Sequence, residues 1–292
     1  MRIENWDEIR TAYQVARVGT VSGAAEVLGV HHATVIRHVD ALEARLGTKL
    51  FQRHPRGYTP TEAGSQLLAV GQATEDQFAQ LAARIAGAGE EVRGELIITA
   101  LPSLSGLVMP AMAALMQAHP ALVLRYITDQ RVFRLEYGEA HVAIRAGNRP
   151  TEPDNVVSQL GVNRVALYAS AEYLERHGRP AGLDDLAGHR FIGPDARDSR
   201  APFFRWLAAN LPAEAVIFAA NEMASQVAAV RAGLGLGFVP VLEAAGDARL
   251  IEVIGPQPEW DSALWLVSHV DLHRTPKVQA ALRALKAAAA RC

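Results

Sequence analysis

Between a short helical stretch ending at Leu28 and a longer one opening near His32, this chain leaves only Gly29, Val30 and His31. A glycine that can turn left-handed, followed by so short a link, makes two helices cross steeply. The flanking residues agree. Asn5 is placed to cap a first helix whose apolar positions Trp6, Ile9, Tyr13 and Ala16 recur at helical spacing before Gly19 stops it. Ser22 is expected to cap the second helix. In the third, Val35, Val39, Leu42 and Leu46 form one buried stripe, so the opposite face looks outward. That face carries His32, Ala33, Ile36 and Arg37, with His31 at its start and Thr34 and His38 at its flank. These short or hydrogen-bonding side chains suit a helix that reads the DNA major groove, and Ile36 could meet a thymine methyl.

After Gly47, the run Lys49-Leu50-Phe51-Gln52-Arg53 and the turn His54-Pro55-Arg56-Gly57 read as a small hairpin, a wing, with Arg53 and Arg56 facing phosphate or the minor groove. Between residues 31 and 58, Arg37, Arg45, Lys49, Arg53 and Arg56 oppose only Asp40 and Glu43, whereas the whole chain carries −2. A local basic excess suits phosphate contact without making the rest of the molecule adhere to nucleic acid.

Thr59, Pro60 and Glu62 are placed to cap, open and box a long helix that Ala86-Gly87-Ala88-Gly89 would end. Along it Leu67, Gly71, Thr74, Phe78, Leu81 and Ile85 alternate steps of four and three, the spacing of a helix packed on a partner helix. From Val92 onward short apolar runs alternate with helical patterns, which argues α/β. The strands read at 95–100, 123–127, 142–145, 165–168, 191–192, 215–218, 235–240 and 264–267, with helices over 107–119, 221–231 and 276–289.

Several motifs resemble those of LysR-type transcriptional regulators: Leu42-Glu43-x-x-Leu46-Gly47, Leu50-Phe51-x-Arg53 and Thr61-x-x-Gly64, then Ala143-Ile144-Arg145, Tyr173-Leu174, Asp185-Leu186, Gly233-x-Gly235 with Val239-Pro240, and Val267-x-His269. Where family members carry a Ser-Gln-Pro-like start to the recognition helix and a serine beyond it, this chain has His31, His32, Ala33 and Ile36. Before the Val-Ala-Ile-Arg strand, in place of the usual acid, it has His141. The resemblance implies a multi-domain protein: a mainly α winged helix-turn-helix over 1–58, a linker and dimerisation helix over 59–91, and a two-lobed α/β, periplasmic-binding-protein-like effector domain over 92–292. Lobe I would cover about 92–162 and 265–292, and lobe II about 163–264. The implied partners are double-stranded DNA, a small-molecule effector, further copies of the chain in a dimer or tetramer joined through Leu67, Phe78, Leu81 and Ile85, and RNA polymerase. The DNA contacts expected are Ser22, His31, His32, Ala33, Thr34, Ile36, Arg37, Arg53 and Arg56.

Two α/β lobes leave a cleft at the carboxyl ends of strands. Leu101, Ser103 and Ser105 follow the first strand of the domain, Thr128 the second, and Gly147 and Asn148 the third. Asn221 is expected to open a helix whose free amides attract anions, with Glu222 beside it.

Composition narrows the alternatives. The chain of 292 residues, 50% hydrophobic and 21% charged, suits about two globular domains. Met1 to Asp7 form no apolar signal core, and no apolar run approaches bilayer length, so the expectation is a cytoplasmic protein without a membrane partner. The one cysteine, Cys292, excludes an internal disulfide and any paired-cysteine site. No HExxH, GxSxG or P-loop occurs, and Gly233-x-Gly235-x-Gly237 has the wrong spacing for a dinucleotide fingerprint. His31 and His32 lack ligand neighbours at usable spacing for a metal. Neither enzyme chemistry, nor a metal, nor a cofactor is expected. The competing class is an α/β binding protein or enzyme with a helix-turn-helix that lacks operator specificity.

Overall fold

The computed structural model describes residues 5–55, 57–85, 92–129, 131–196 and 199–291. The chain divides into two compact units, Met1–Glu91 with Arg134–Glu139, and Val92–Phe133 with Ala140–Cys292.

The first unit opens with α1 (Trp6–Val18), α2 (Val21–Leu28) and α3 (His32–Leu46). Asn5 caps α1 by accepting the Asp7 amide, and Trp6, expected on the buried face, is 64% exposed. Thr20, rather than Ser22, caps α2: its hydroxyl accepts the Gly23 amide at 3.2 Å, while Ser22 lies inside the first turn. Gly19 in the left-handed conformation turns the chain early, leaving Thr20 as the extended residue that an N-cap requires. Gly29, at φ 66°, makes the tight turn into α3. Val35, Val39 and Leu42 bury against Ala12, Val15, Val21 and Ala24, while Leu46 is half-buried.

The wing is a two-stranded hairpin, β1 (Phe51–His54) and β2 (Gly57–Pro60), with Phe51 opposite Pro60. Pro60 therefore closes a strand instead of opening a helix, and the expected Thr59 cap does not form. Helix α4 (Glu62–Ile85) is capped by Thr61, whose Oγ1 accepts the Gly64 amide at 3.1 Å and donates to the Lys49 carbonyl at 2.7 Å. At Gly64 a Cβ would lie 2.0 Å from the Leu50 carbonyl, so only glycine lets α4 start this close to the wing.

The second unit runs β3 (Gly94–Ala100), α5 (Ser105–Ala118), β4 (Leu122–Thr128), β5 (Val142–Ala146), β6 (Asn155–Asn163), β7 (Val165–Ala169), α6 (Ala171–His177), β8 (Phe191–Pro194), α7 (Pro202–Asn210), β9 (Val216–Ala220), α8 (Met223–Arg231), β10 (Leu236–Pro240), α9 (Val241–Ala244), β11 (Ile251–Ile254), β12 (Ser262–His269), α10 (Val270–His273) and α11 (Pro276–Ala289). One five-stranded sheet has the order β4-β3-β5-β12-β6 and the other β11-β7-β10-β8-β9. Leu96, Ile98, Val142, Ile144, Leu264 and Leu266 of the first sheet pack with α5 and α11. Runs apolar on both faces, such as Val165–Ala169 and Leu236–Pro240, are central strands covered by helices. β6, whose polar-interrupted residues carry no strand signal, pairs with β12 along its whole length. Thr275 caps α11, its hydroxyl accepting the Val278 amide.

Candidate nucleic-acid interface and effector cleft

The outer face of α3 begins at His31, the N-cap, whose Nδ1 accepts the Ala33 amide at 3.4 Å. His32, Ala33 and Arg37 are exposed and Thr34 is half-buried. Among the described residues Arg37 has no ion pair. Ser22 is exposed in the first turn of α2. Ile36 departs from the expected outward position: it is half-buried and packs on the unit's own core, so burial explains an apolar residue there before DNA does. His38 Nδ1 lies 2.9 Å from Thr11 Oγ1, which donates to the Asp7 carbonyl at 2.6 Å. The hydroxyl has one hydrogen, so His38 Nδ1 is the donor in this pair.

Under this face lies Glu43, which the sequence shows only as a charge and as one position of a family motif. Glu43 is 3% exposed; it accepts the amides of Leu50 at 2.9 Å and Phe51 at 3.2 Å, and pairs with Lys49 at 2.7 Å and Arg53 at 2.9 Å. Burial pushes its pKa up, but the Lys49 and amide hydrogen bonds together with the Arg53 charge prevail and hold it below the usual carboxylate value. Its spacing of seven residues from Leu50 was the signal that could have found it. Arg53 also meets Asp40 at 2.5 Å and lies over the Tyr58 ring, so it is drawn back onto α3 rather than extended from the wing. Arg45 is likewise engaged, with Glu8 at 3.2 Å. Arg56 lies outside the described residues.

Helix α4 has two kinds of surface. Leu67 packs on the core of its own unit, which corrects its expected place on a partner helix. Gly71 lies against Tyr13, where a Cβ would come within 2.5 Å of the ring. The Tyr13 hydroxyl is 2.7 Å from Gln72 Oε1 and 2.8 Å from Glu75 Oε2, and Arg17 reaches Glu75 at 3.1 Å. Burial, then the Glu75 hydrogen bond, pushes the Tyr13 pKa up to about 12. Beyond Glu75, Phe78 is 60% and Leu81 46% exposed. The side chain of Ile85 and the 86–89 helix stop lie outside the described residues.

In the second unit a tight turn at Pro102–Leu104 touches α8, and α5 touches α9, so these four elements line the division between lobes. Ser103 is half-buried, and Thr128, Asn148 and Asn221 are exposed. Three expectations change. Ser105 Oγ donates to the Pro102 carbonyl at 2.7 Å and lies 3.3 Å from the Tyr126 hydroxyl, so its hydrogen is committed inside lobe I. Gly147 gives its amide to Ala263 and its carbonyl to the Trp265 indole, both at 2.9 Å, and serves as a corner of the fold. Asn221 precedes α8, whose N-cap is Glu222, so the carboxylate stands at that helix end. Leu101 packs on the lobe I core.

A profile described as a bacterial regulatory helix-turn-helix protein of the lysR family matches residues 6–65, and one described as a LysR substrate binding domain matches residues 89–290. The chain belongs to the LysR family. Among curated relatives, the transcriptional regulator CrgA of Neisseria meningitidis serogroup B is 30% identical over 190 residues, 65% of this chain. That match spans 63% of CrgA, just under two thirds of its length. Full-length OxyR from Pseudomonas aeruginosa superposes with a TM-score of 0.72 at 18% identity, covering 100% of this chain and 96% of the other. LysG from Corynebacterium glutamicum, solved with bound effector Arg, gives 0.67 at 20% identity, covering 99% of each. The fold of a LysR regulator thus extends through both units. Among the described residues no helix is long and apolar enough to cross a membrane, and no group of three or more His, Cys, Asp or Glu could hold a metal ion.

Proposed function

We propose that this LysR-family chain is a DNA-binding transcriptional regulator that acts as a dimer or tetramer on an interrupted inverted repeat and answers to a small-molecule effector held between its lobes. One observation carries the reading: the exposed front of α3, with His32, Ala33 and Arg37, stands beside a wing, while α4 leaves the same unit with Phe78 and Leu81 uncovered. Two copies joined along α4 would present two recognition helices to successive major grooves, the arrangement that reads a palindrome. Ser103, Thr128, Asn148 and Asn221 are the polar groups we assign to an effector, and LysG, a protein of the same fold solved with Arg bound, supports such a use of this domain. The reading carries a cytoplasmic location, a contact with RNA polymerase, and no catalysis.

The test is selection of duplexes from random DNA, followed by titration of the recovered site with the parent and Arg37→Ala. Recovery of a two-part symmetric site supports the reading, provided that the variant binds it more weakly and with a log-log salt slope flatter by about 0.9 for each phosphate it no longer neutralises. Recovery of no common sequence would favour a binding protein or enzyme that carries an unspecific helix-turn-helix.

A further inference from the structure

We propose that Tyr13 is a positioning residue: its hydroxyl contact with Glu75 fixes the direction in which α4 leaves the DNA-binding unit, and so selects the spacing between half-sites. The inference rests on the preceding reading, in which two copies join through α4.

The first half of α4 is held at three successive levels. At its start Gly64 abuts the Leu50 carbonyl, and two turns on Gly71 lies flat against the Tyr13 ring. The third level is polar: Tyr13 Oη stands 2.7 Å from Gln72 and 2.8 Å from Glu75, and Glu75 also takes Arg17 at 3.1 Å. A phenol has one hydrogen, and a carboxylate is the stronger acceptor, so the hydroxyl donates to Glu75. Gln72 Oε1 is the second, weaker acceptor within reach of the same hydrogen. Tyr13 is 3% exposed and belongs to α1, which packs on α3, so the contact ties α4 to the helices that carry the reading face.

Among the described residues Glu75 carries the last hydrogen bond from α4 to the helices of this unit, and Phe78 and Leu81 beyond it are exposed. Packing at Gly64, Leu67 and Gly71 and against Leu135–Tyr137 limits how near α4 lies, and the hydrogen bond to Glu75 adds a direction that packing alone lacks. Direction matters because of leverage. With a rise of 1.5 Å per residue, a tilt of roughly 10° about Gly64 moves the far end of α4 by about 5 Å. One base-pair step is about 3.4 Å, so a tilt of that size is enough to change which half-site separation fits.

The experiment uses the full chain and the two-part site recovered by selection with the parent. Duplexes carry both half-sites at separations changed by single base pairs, and a further duplex carries one half-site alone. Tyr13→Phe keeps the ring against Gly71 and deletes the hydroxyl; Glu75→Ala removes the same contact from a half-exposed surface position. Both variants are expected to bind the single half-site and to melt like the parent. Their preference for the best separation over the next one should fall at least threefold. A preference as sharp as the parent's in both variants, with the single half-site still bound, overturns the inference and leaves the functional reading standing. A parent that selects one unpaired site overturns both.

Discussion

Arg53 Nη2 sits 2.9 Å from Glu43 Oε2, which fastens the first strand of the hairpin to the last turn of α3. Glu43 takes the Leu50 and Phe51 amides as well, so one buried carboxylate sets both the start of the wing and the direction of its arginine. The guanidinium expected at phosphate is therefore held against Asp40 and Glu43 when DNA is absent, and any phosphate contact it makes competes with those partners.

Glu43→Gln should destabilise the DNA-binding unit by about 2 to 3 kcal/mol, because it removes the charge that Lys49 and Arg53 converge on while keeping the shape. The pKa of Glu43 is depressed in the folded state, so its contribution is present above the unfolded value of about 4.3 and is lost as pH falls through the folded value. Thermal unfolding across that range should show the parent converging on the variant as acid is added. Parallel curves at every pH would mean that Glu43 acts through packing alone.

Leu81→Glu should separate the copies. Two carboxylates near a two-fold axis cost several kcal/mol if they stay ionised, enough to shift the monomer–dimer midpoint by at least a hundredfold in concentration. Sedimentation reads this directly, and a variant that sediments like the parent would show that another surface joins the copies.

Glu243 offers a prediction of opposite sign. Its Oε2 is buried without a hydrogen-bond partner among the described residues, and burial raises its pKa against the pull of Arg231. Arg231 itself pairs with Asp247 at 2.6 Å. Because the folded protein holds this proton to higher pH than the unfolded chain, stability grows as pH falls through the folded value toward about 4.3. Glu243→Gln should therefore stabilise the second unit at pH 7.5 by about 1 kcal/mol, or roughly 2 to 4 °C, and the gain should shrink on acidification. Calorimetry at pH 7.5 and pH 5 would decide it; an unchanged melting point at pH 7.5 would mean that water solvates the carboxylate.

Replacing Ser103 and Thr128 with Val deletes two hydroxyls at nearly constant shape. An effector at one hundred times its dissociation constant adds about 2.7 kcal/mol to the parent's stability, and the double variant should lose most of that gain while melting normally without ligand. A metabolite screen by thermal shift supplies the ligand. Full protection of the variant would move the effector site away from these residues.

Most of the fold was legible because periodicity follows burial. Val35, Val39 and Leu42 bury as a stripe, and Val165–Ala169 reads as a strand for the same reason. What failed was competition between equivalent local signals. Thr20 and Ser22 are both competent caps, and the left-handed Gly19 decides between them. Pro60 suits a helix start and a strand end equally, and pairing opposite Phe51 decides that. β6 lacks an apolar pattern because its order comes from β12, far along the chain. On the candidate site, the exposure of His32, Ala33 and Arg37 was legible from the stripe. The partners of Arg53, Ser105 and Gly147 were not, since each depends on a contact across the fold.

The position of β12 has a consequence for synthesis. It lies between β5 and β6, and among the described residues β6 pairs with no other strand, yet all of the second lobe is made between β6 and β12. On the ribosome the helix-turn-helix core, built from residues between Ile9 and Leu68, is complete long before that. Lobe II can close next, hanging from an unpaired strand. The sheet of lobe I is finished last, so a nascent or prematurely ended chain would carry a formed helix-turn-helix before the domain that follows it could close.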